Sequence, residues 1–337
     1  MYLRSLLAAL ARVDARNEYV VFTNRETGAD LTPPAPNFVH VPQNVPARNR
    51  PARIMFEQTA LVRAVSRAGC AVLVNPGFTC PLSGGCPNVT IFHDLQHKRH
   101  PEYFRWFDLP AWKFLLWAAA RRSRALIAVS EATRDDLRRF YGVDAAVVRH
   151  GVDAELFELA KRREPGPFLL CLSTLHPHKN LERLIRAYAA TGRRDYGLVI
   201  AGMRGFHTGQ VEAAIVACGV QEQVRITGWL PRAEIMELLR TAAGCIQPST
   251  FEGFGLPVLE AMAAGVPLAC SDIPPFREIT GGCVPVFDPR DDAAVMAALA
   301  GLMEAPPDMT AARERAHGFT WEKAARETLE VLEKVAG

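Results

Sequence analysis

The chain has 337 residues and a formal net charge of only +3, so it is long enough for two cores and carries no general signal for binding a polyanion such as nucleic acid. A hydrophobic share of 49% against 22% charged residues excludes a disordered chain. Residues 1–160 hold 20 Lys and Arg against 15 Asp and Glu, a mildly basic half that suits anionic lipid or a phosphate-bearing acceptor, or is plain scattered surface charge.

The chain opens on an amphipathic helix over 2–13, followed by a strand over 19–23. A doubly wound domain ordinarily begins with a strand and a Gly-rich turn. Neither precedes this helix, so the first domain is expected to lack its initial strand. Apolar strand candidates follow at 71–75, 89–93, 125–129 and 145–149, with helices at 54–68, 111–122 and 131–141 between them. The polar, Pro-containing stretch 161–167 (KRREPGP) reads as a hinge. A second series then runs through strands at 168–173, 197–201, 224–227, 244–247 and 266–270, with helices at 181–190, 232–241 and 257–264. Continuous apolar strands alternating with helices predict parallel sheets covered on both faces. The fold class is therefore α/β with two doubly wound, Rossmann-like domains, 1–160 and 161–318, facing across a cleft, and ligands belong at the carboxyl ends of the strands.

The stretch 106–117 (WFDLPAWKFLLW) is aromatic-rich and runs into Arg121, Arg122 and Arg124. It suits peripheral contact with a membrane surface, and packing of the helix on its own sheet explains the aromatics equally well. No stretch of the first half approaches the ~20 apolar residues of a membrane span and no signal peptide is visible, so the expected place is cytoplasmic, with peripheral contact at the inner face of the membrane as an option. The eight cysteines lack any CxxC or Cys/His ligand spacing and read as small core residues in a reducing compartment. Cys80 and Cys86, in a loop-like stretch, are the one close pair. Asp135-Asp136 and Asp291-Asp292 read as exposed helix-start charges.

The segment 247–257 (QPSTFEGFGLP) reads as a strand end, a glycine-rich loop and a helix start. Gly253 and Gly255 permit positive φ and close approach of backbone N–H groups to an anion. Pro257 suits the first helical turn, and the helix N-terminus offers free donors and partial positive charge to a diphosphate. Glu252 stands before the helix and Glu260 about one turn into it, placed to hold two hydroxyl-bearing parts of one ligand. On the residues alone, an ordinary loop with a capping glutamate fits as well.

The string EGFGLPVLEAMAAGVPLACSD over 252–272 resembles the signature of the retaining family-4 glycosyltransferases of the GT-B fold. Further pieces fall in that family's order: residues 174–181 (TLHPHKNL), His93-Asp94-Leu95, Val129-Ser130-Glu131, His150-Gly151-Val152-Asp153 and Gly228-Trp229-Leu230-Pro231. Residues 319–337, beginning Phe319-Thr320-Trp321-Glu322, resemble the terminal helix that crosses back to the first domain. The resemblance implies that Lys179 neutralises the donor diphosphate and that Glu260 accepts hydrogen bonds from the ribose. Glu252 would contact the transferred sugar, and the backbone of Gly253, Phe254, Gly255 and Leu256 would surround phosphates and sugar.

The family's second basic residue near the lysine is replaced here by Ser173 or His178. His93 would stand beside the donor sugar, so that His93 and Glu252 form the catalytic pair. Asp94 either sets that imidazole or caps the following turn. The sequence contains no Asp-x-Asp pair, which agrees with a metal-free site and no cofactor beyond the donor. The function implied is transfer of a hexose from GDP-mannose or a UDP-sugar to a glycan or lipid-linked acceptor, with mannose favoured by the style of the motifs. A sugar-nucleotide 2-epimerase of the same fold and a catalytically impaired binding protein are the alternatives.

Overall fold

The computed structural model describes residues 2–337, and its contacts divide the chain into two compact units. One unit holds residues up to Gly151 together with Thr320–Gly337, and the other holds Val152–Phe319.

In the first unit the Tyr2–Val13 helix is followed by β1 (Tyr19–Thr23) and β2 (Phe38–Pro42), which pair in parallel as a separate two-stranded sheet. Strands β3 (Leu73–Asn75), β4 (Asn88–Phe92), β5 (Ala125–Ala128) and β6 (Ala146–Val147) form a parallel sheet in that spatial order. All five residues of β4 are buried, as expected of a strand covered on both faces. Phe92, Leu95, Leu116 and Leu137 pack together over one side. The Trp321–Ala336 helix lies against the opening helix, with ion pairs from Arg12 to Glu322 at 2.6 Å and from Arg16 to Glu333 at 2.7 Å. Gly151 makes that return possible: a Cβ there would stand 2.1 Å from the Trp321 amide nitrogen.

The second unit is a six-stranded parallel sheet in the order β12-β11-β10-β7-β8-β9. Its strands are β7 (Phe168–Leu172), β8 (Gly197–Ala201), β9 (Val224–Gly228), β10 (Gly244–Gln247), β11 (Leu268–Ser271) and β12 (Val286–Phe287). β7 is paired with β8 along its whole length and with β10 through Gly244↔Leu169 and Cys245↔Leu170. Leu169, Cys171, Leu184, Tyr188, Leu198 and Ile246 form part of its apolar core. The connection order reverses between β7 and β10, and ligands of open parallel sheets bind outside the carboxyl ends of strands at such a switch point.

Four details differ from the expectations drawn from the sequence. Strand β2, which ends on Pro42 in a sheet of only two strands, and the two-residue edge strand β12 have no counterpart among the strand candidates. The units divide at 151/152, ahead of the expected 160/161, because 152–160 packs in the second unit: Leu156 is buried there and Phe157 stacks on His317 at 3.9 Å. Within the expected hinge, Arg163 donates to the carbonyls of Gly265, at 2.6 Å, and Ala242, so this stretch is fastened. Asp136 is buried and accepts from Arg99 Nε at 2.9 Å, whereas Asp135 is exposed. Asp291 caps the Asp292–Glu304 helix through the amides of Ala293 and Ala294. All eight cysteines are free thiols, Cys80 and Cys86 included.

Candidate active site

At the switch point of the second unit, the loop leaving β7 meets the loop leaving β10. The Thr250 amide donates to the His178 carbonyl at 2.8 Å, and the Asn180 side-chain amide donates to the Pro248 carbonyl at 3.1 Å and to that of Pro289 at 2.7 Å. Asn180 holds a left-handed conformation, φ 58°, which its short polar side chain tolerates. This lacing fixes Lys179, which ends a short helical turn over Pro177–Lys179, beside Glu252. Lys179 Nζ donates to Glu252 Oε1 at 2.6 Å, and Ser249 Oγ donates to the same oxygen at 2.8 Å. Both charged side chains are largely buried, 17% and 13% exposed, so the pair is screened far less than a surface ion pair. The sequence reading assigned these two residues to different parts of the donor; the structure puts them in contact.

The β10 loop passes into the Leu256–Ala263 helix with Gly255 as its N-cap and Pro257 in the first turn. Gly255 has φ 114°, and a Cβ there would lie 2.5 Å from the Phe276 ring, so only glycine fits both the conformation and the space. Phe254 is buried, its ring 6.3 Å from that of Phe319. Its side chain is a packing anchor, and what Gly253, Phe254, Gly255 and Leu256 present at this helix start is backbone.

Glu260 is buried on the same helix, 6% exposed. Its Oε1 accepts from Arg232 Nη1 at 2.7 Å, and the same guanidinium reaches Asp153 Oδ2 at 3.1 Å and Glu155 Oε1 at 3.3 Å. Burial pushes the Glu260 carboxyl above the usual carboxylate range, while Arg232 draws it back and the like charges of Asp153 and Glu155 push it further up. Sequence reasoning assigned no role to Arg232, Asp153 or Ser249. Arg232 directly follows Gly228-Trp229-Leu230-Pro231, and Asp153 closes His150-Gly151-Val152-Asp153, so the motif strings pointed at their neighbourhood without disclosing the pairing.

Of the two places where a second basic residue was sought, Ser173 is buried and donates to the Thr174 carbonyl at 3.1 Å. The His178 ring stacks on His176 with centroids 5.9 Å apart.

His93 belongs to the first unit, directly after β4. Its Nε2 lies 2.8 Å from the Pro76 carbonyl. A carbonyl only accepts, so Nε2 carries the hydrogen and Nδ1 of the neutral ring is an acceptor. Burial draws the His93 pKa below its ordinary value, which keeps the ring neutral at neutral pH. Tyr2, Phe78 and His150 pack around it with ring centroids 4.9, 5.6 and 5.7 Å away. Asp94 Oδ1 accepts from the Gln96 amide at 2.8 Å, a contact that caps the following turn.

The chain is similar to known proteins in sequence and in fold. The profile of the family described as Glycosyl transferases group 1 matches residues 153–319, and that of Glycosyltransferase Family 4 matches residues 1–156. O-antigen chain mannosyltransferase B of Escherichia coli is 28% identical over 262 residues, which are 72% of this chain and 68% of the relative. Alpha-maltose-1-phosphate synthase of Mycolicibacterium smegmatis is 30% identical over 302 residues, 77% of this chain and 76% of the relative. In fold, the chain is similar to the sucrose-phosphate synthase of Thermosynechococcus elongatus, with a TM-score of 0.79 at 17% identity over 99% of this chain and 92% of that one. The two profiles meet at 153–156, next to the division between the two units, and between them they take in the Lys179–Glu252 loops, the Glu260 helix and the His93 strand: the chain belongs to the family-4 glycosyltransferases of the GT-B fold.

Proposed function

We propose that the protein is a retaining hexosyltransferase that moves a hexose from a nucleotide-diphosphate sugar onto a glycan or lipid-linked acceptor. Mannose from GDP-mannose is the favoured donor and a UDP-sugar the other. The observation that carries this reading is the meeting of Lys179 and Glu252 at the switch point, in front of the Leu256–Ala263 helix that bears Glu260.

Lys179 and the N-terminal amides of that helix take the diphosphate and stabilise it as it leaves. Glu260 accepts the ribose hydroxyls and Glu252 the hydroxyls of the transferred sugar. The acceptor attacks on the face the phosphate departs from, through an oxocarbenium-like state, and the departing phosphate takes the acceptor proton. The neutral His93 offers Nδ1 to a sugar hydroxyl and orients the ring. The lack of an Asp-x-Asp pair in the sequence supports a reaction without a metal cofactor. The protein works in the cytoplasm, peripheral to the inner face of the membrane where the acceptor is lipid-linked.

The test is incubation with a panel of nucleotide sugars, with and without glycan and polyprenyl-linked acceptors, followed by mass detection. Acceptor-dependent release of the nucleoside diphosphate with an α-linked product supports the reading. Acceptor-free epimerisation of a UDP-N-acetyl sugar, or no turnover with any donor that binds, overturns it.

A further inference from the structure

The helix Leu109–Arg122 is apolar on both of its faces. Its inner face carries Leu115, Leu116 and Ala118 to Ala120, as any packed helix would. Its outer face, at helical spacing, carries Pro110, Phe114, Trp117 and Arg121, where charged residues are the rule. Phe114 is 56% exposed and Trp117 45%; just before the helix, Trp106 is 82% exposed and Phe107 57%. Packing against the apolar cluster of Phe92, Leu95 and Leu116 accounts for Trp112, whose ring Arg50 also covers at 4.2 Å, and does not account for these four.

The segments that carry and adjoin the aromatics are predominantly basic. Residues 98–124 hold seven Lys and Arg against Glu102 and Asp108, and residues 48–67 hold five Arg against Glu57. The two segments adjoin, because Arg50 lies both over Trp112 and 3.9 Å from Asp108. Met55, 66% exposed, adds an apolar side chain from the second segment.

We propose that this face docks on the surface of an anionic lipid bilayer, Trp106, Phe107, Phe114 and Trp117 entering the headgroup layer and the arginines and lysines meeting lipid phosphates. Indole and phenyl rings beside a basic rim suit the interface, where one end of the side chain meets acyl chains and the other water. Charge decides against a second copy of the chain: a two-fold contact sets like patches face to face, and these patches are both basic. Among the described residues no helix is long and apolar enough to cross a membrane, and the proposal is of docking in the plane of the interface. It deepens the peripheral placement given above and rests on none of the donor chemistry.

The experiment is co-sedimentation of the full chain with phosphatidylcholine vesicles and with vesicles half phosphatidylglycerol, beside a variant combining Trp106→Ser, Phe107→Ser, Phe114→Ser and Trp117→Ser. A second variant combines Arg105→Glu, Lys113→Glu and Arg121→Glu. Binding to the anionic vesicles that is weakened by high salt, and that drops by about tenfold or more in each variant, is the expected result. Both variants should keep the wild-type melting temperature and the wild-type response to nucleoside diphosphate. A lack of binding to anionic vesicles, equal binding by the variants, or self-association that the aromatic variant abolishes overturns the docking surface. None of these outcomes touches the donor site, whose own failure would show as a missing nucleotide response with vesicle binding intact.

Discussion

Arg232 Nη1 donates to Glu260 Oε1 at 2.7 Å and so draws a buried carboxyl group back towards its ionised form. If Glu260 receives the ribose hydroxyls, Arg232 acts through it. Arg232→Ala is then expected to weaken binding of a nucleoside diphosphate by about tenfold, the range of one charge-assisted hydrogen bond. Isothermal titration should show that loss shrinking for the 2′,3′-dideoxy analogue, which has no hydroxyls to offer. The loss should also grow as the pH is lowered, since burial and the like charges of Asp153 and Glu155 then govern the carboxyl unopposed by Arg232 and raise its pKa further. An equal loss for both nucleotides at every pH would detach Arg232 from the ribose.

Glu252 holds the Lys179 ammonium at 2.6 Å. Glu252→Gln releases that lysine for the diphosphate, so affinity for the nucleoside diphosphate should stay level or rise while turnover of the nucleotide sugar falls by about a hundredfold, as for other groups that act on the reacting sugar. Parallel kinetic and titration measurements separate the two. Equal weakening of both would make Glu252 a structural partner of the lysine only.

Gly255 is required by shape. Gly255→Ala forces a Cβ onto the Phe276 ring, at 2.5 Å, from a backbone angle that alanine disfavours. The cost is on the order of 2–5 kcal/mol, strain and overpacking together. Denaturant unfolding of the variant checks it, and a loss below about 1 kcal/mol would show that the loop relaxes freely.

His97 sits buried with its Nε2 2.6 Å from the Tyr141 hydroxyl, and burial, with Lys98 and Lys113 nearby, draws its pKa down to about 4 from an ordinary 6.5. Between these two values the unfolded chain binds a proton that the folded chain does not. Stability therefore falls as the pH drops from about 6.5 towards about 4, and is unaffected by this group above that window. His97→Gln should flatten this part of the curve of unfolding midpoint against pH. An unchanged slope would move the acid sensitivity to other groups.

The parts of this molecule that were readable in advance are those set by local chemistry. The central strands of both large sheets, such as β4, β7, β8 and β10, show as apolar runs because both of their faces are covered, whereas the two-residue edge strand β12 is too short to show, and the Gly253 to Pro257 turn shows because positive φ and a first-turn proline are written in residue type. Contacts set by how elements pack were not readable. Arg232 and Glu260 are 28 residues apart on separate helices, and nothing in either segment announces the other. Asp136 looked like a surface charge because its partner Arg99 lies 37 residues away. The aromatic stretch was ambiguous for a related reason: Trp112 turns inward and Phe114 outward on one helix, and only the packing of that helix decides which.

The central claim is that the β7 and β10 loops of the second unit form a donor site with Lys179 at the phosphates. Titration of GDP and UDP into the wild-type chain and into Lys179→Ala tests it most directly. Saturable binding of one of the two by the wild type, weakened by about tenfold or more in a variant that keeps its fold, is the result predicted. Equal affinity in the two proteins, or binding of neither nucleotide, would contradict it.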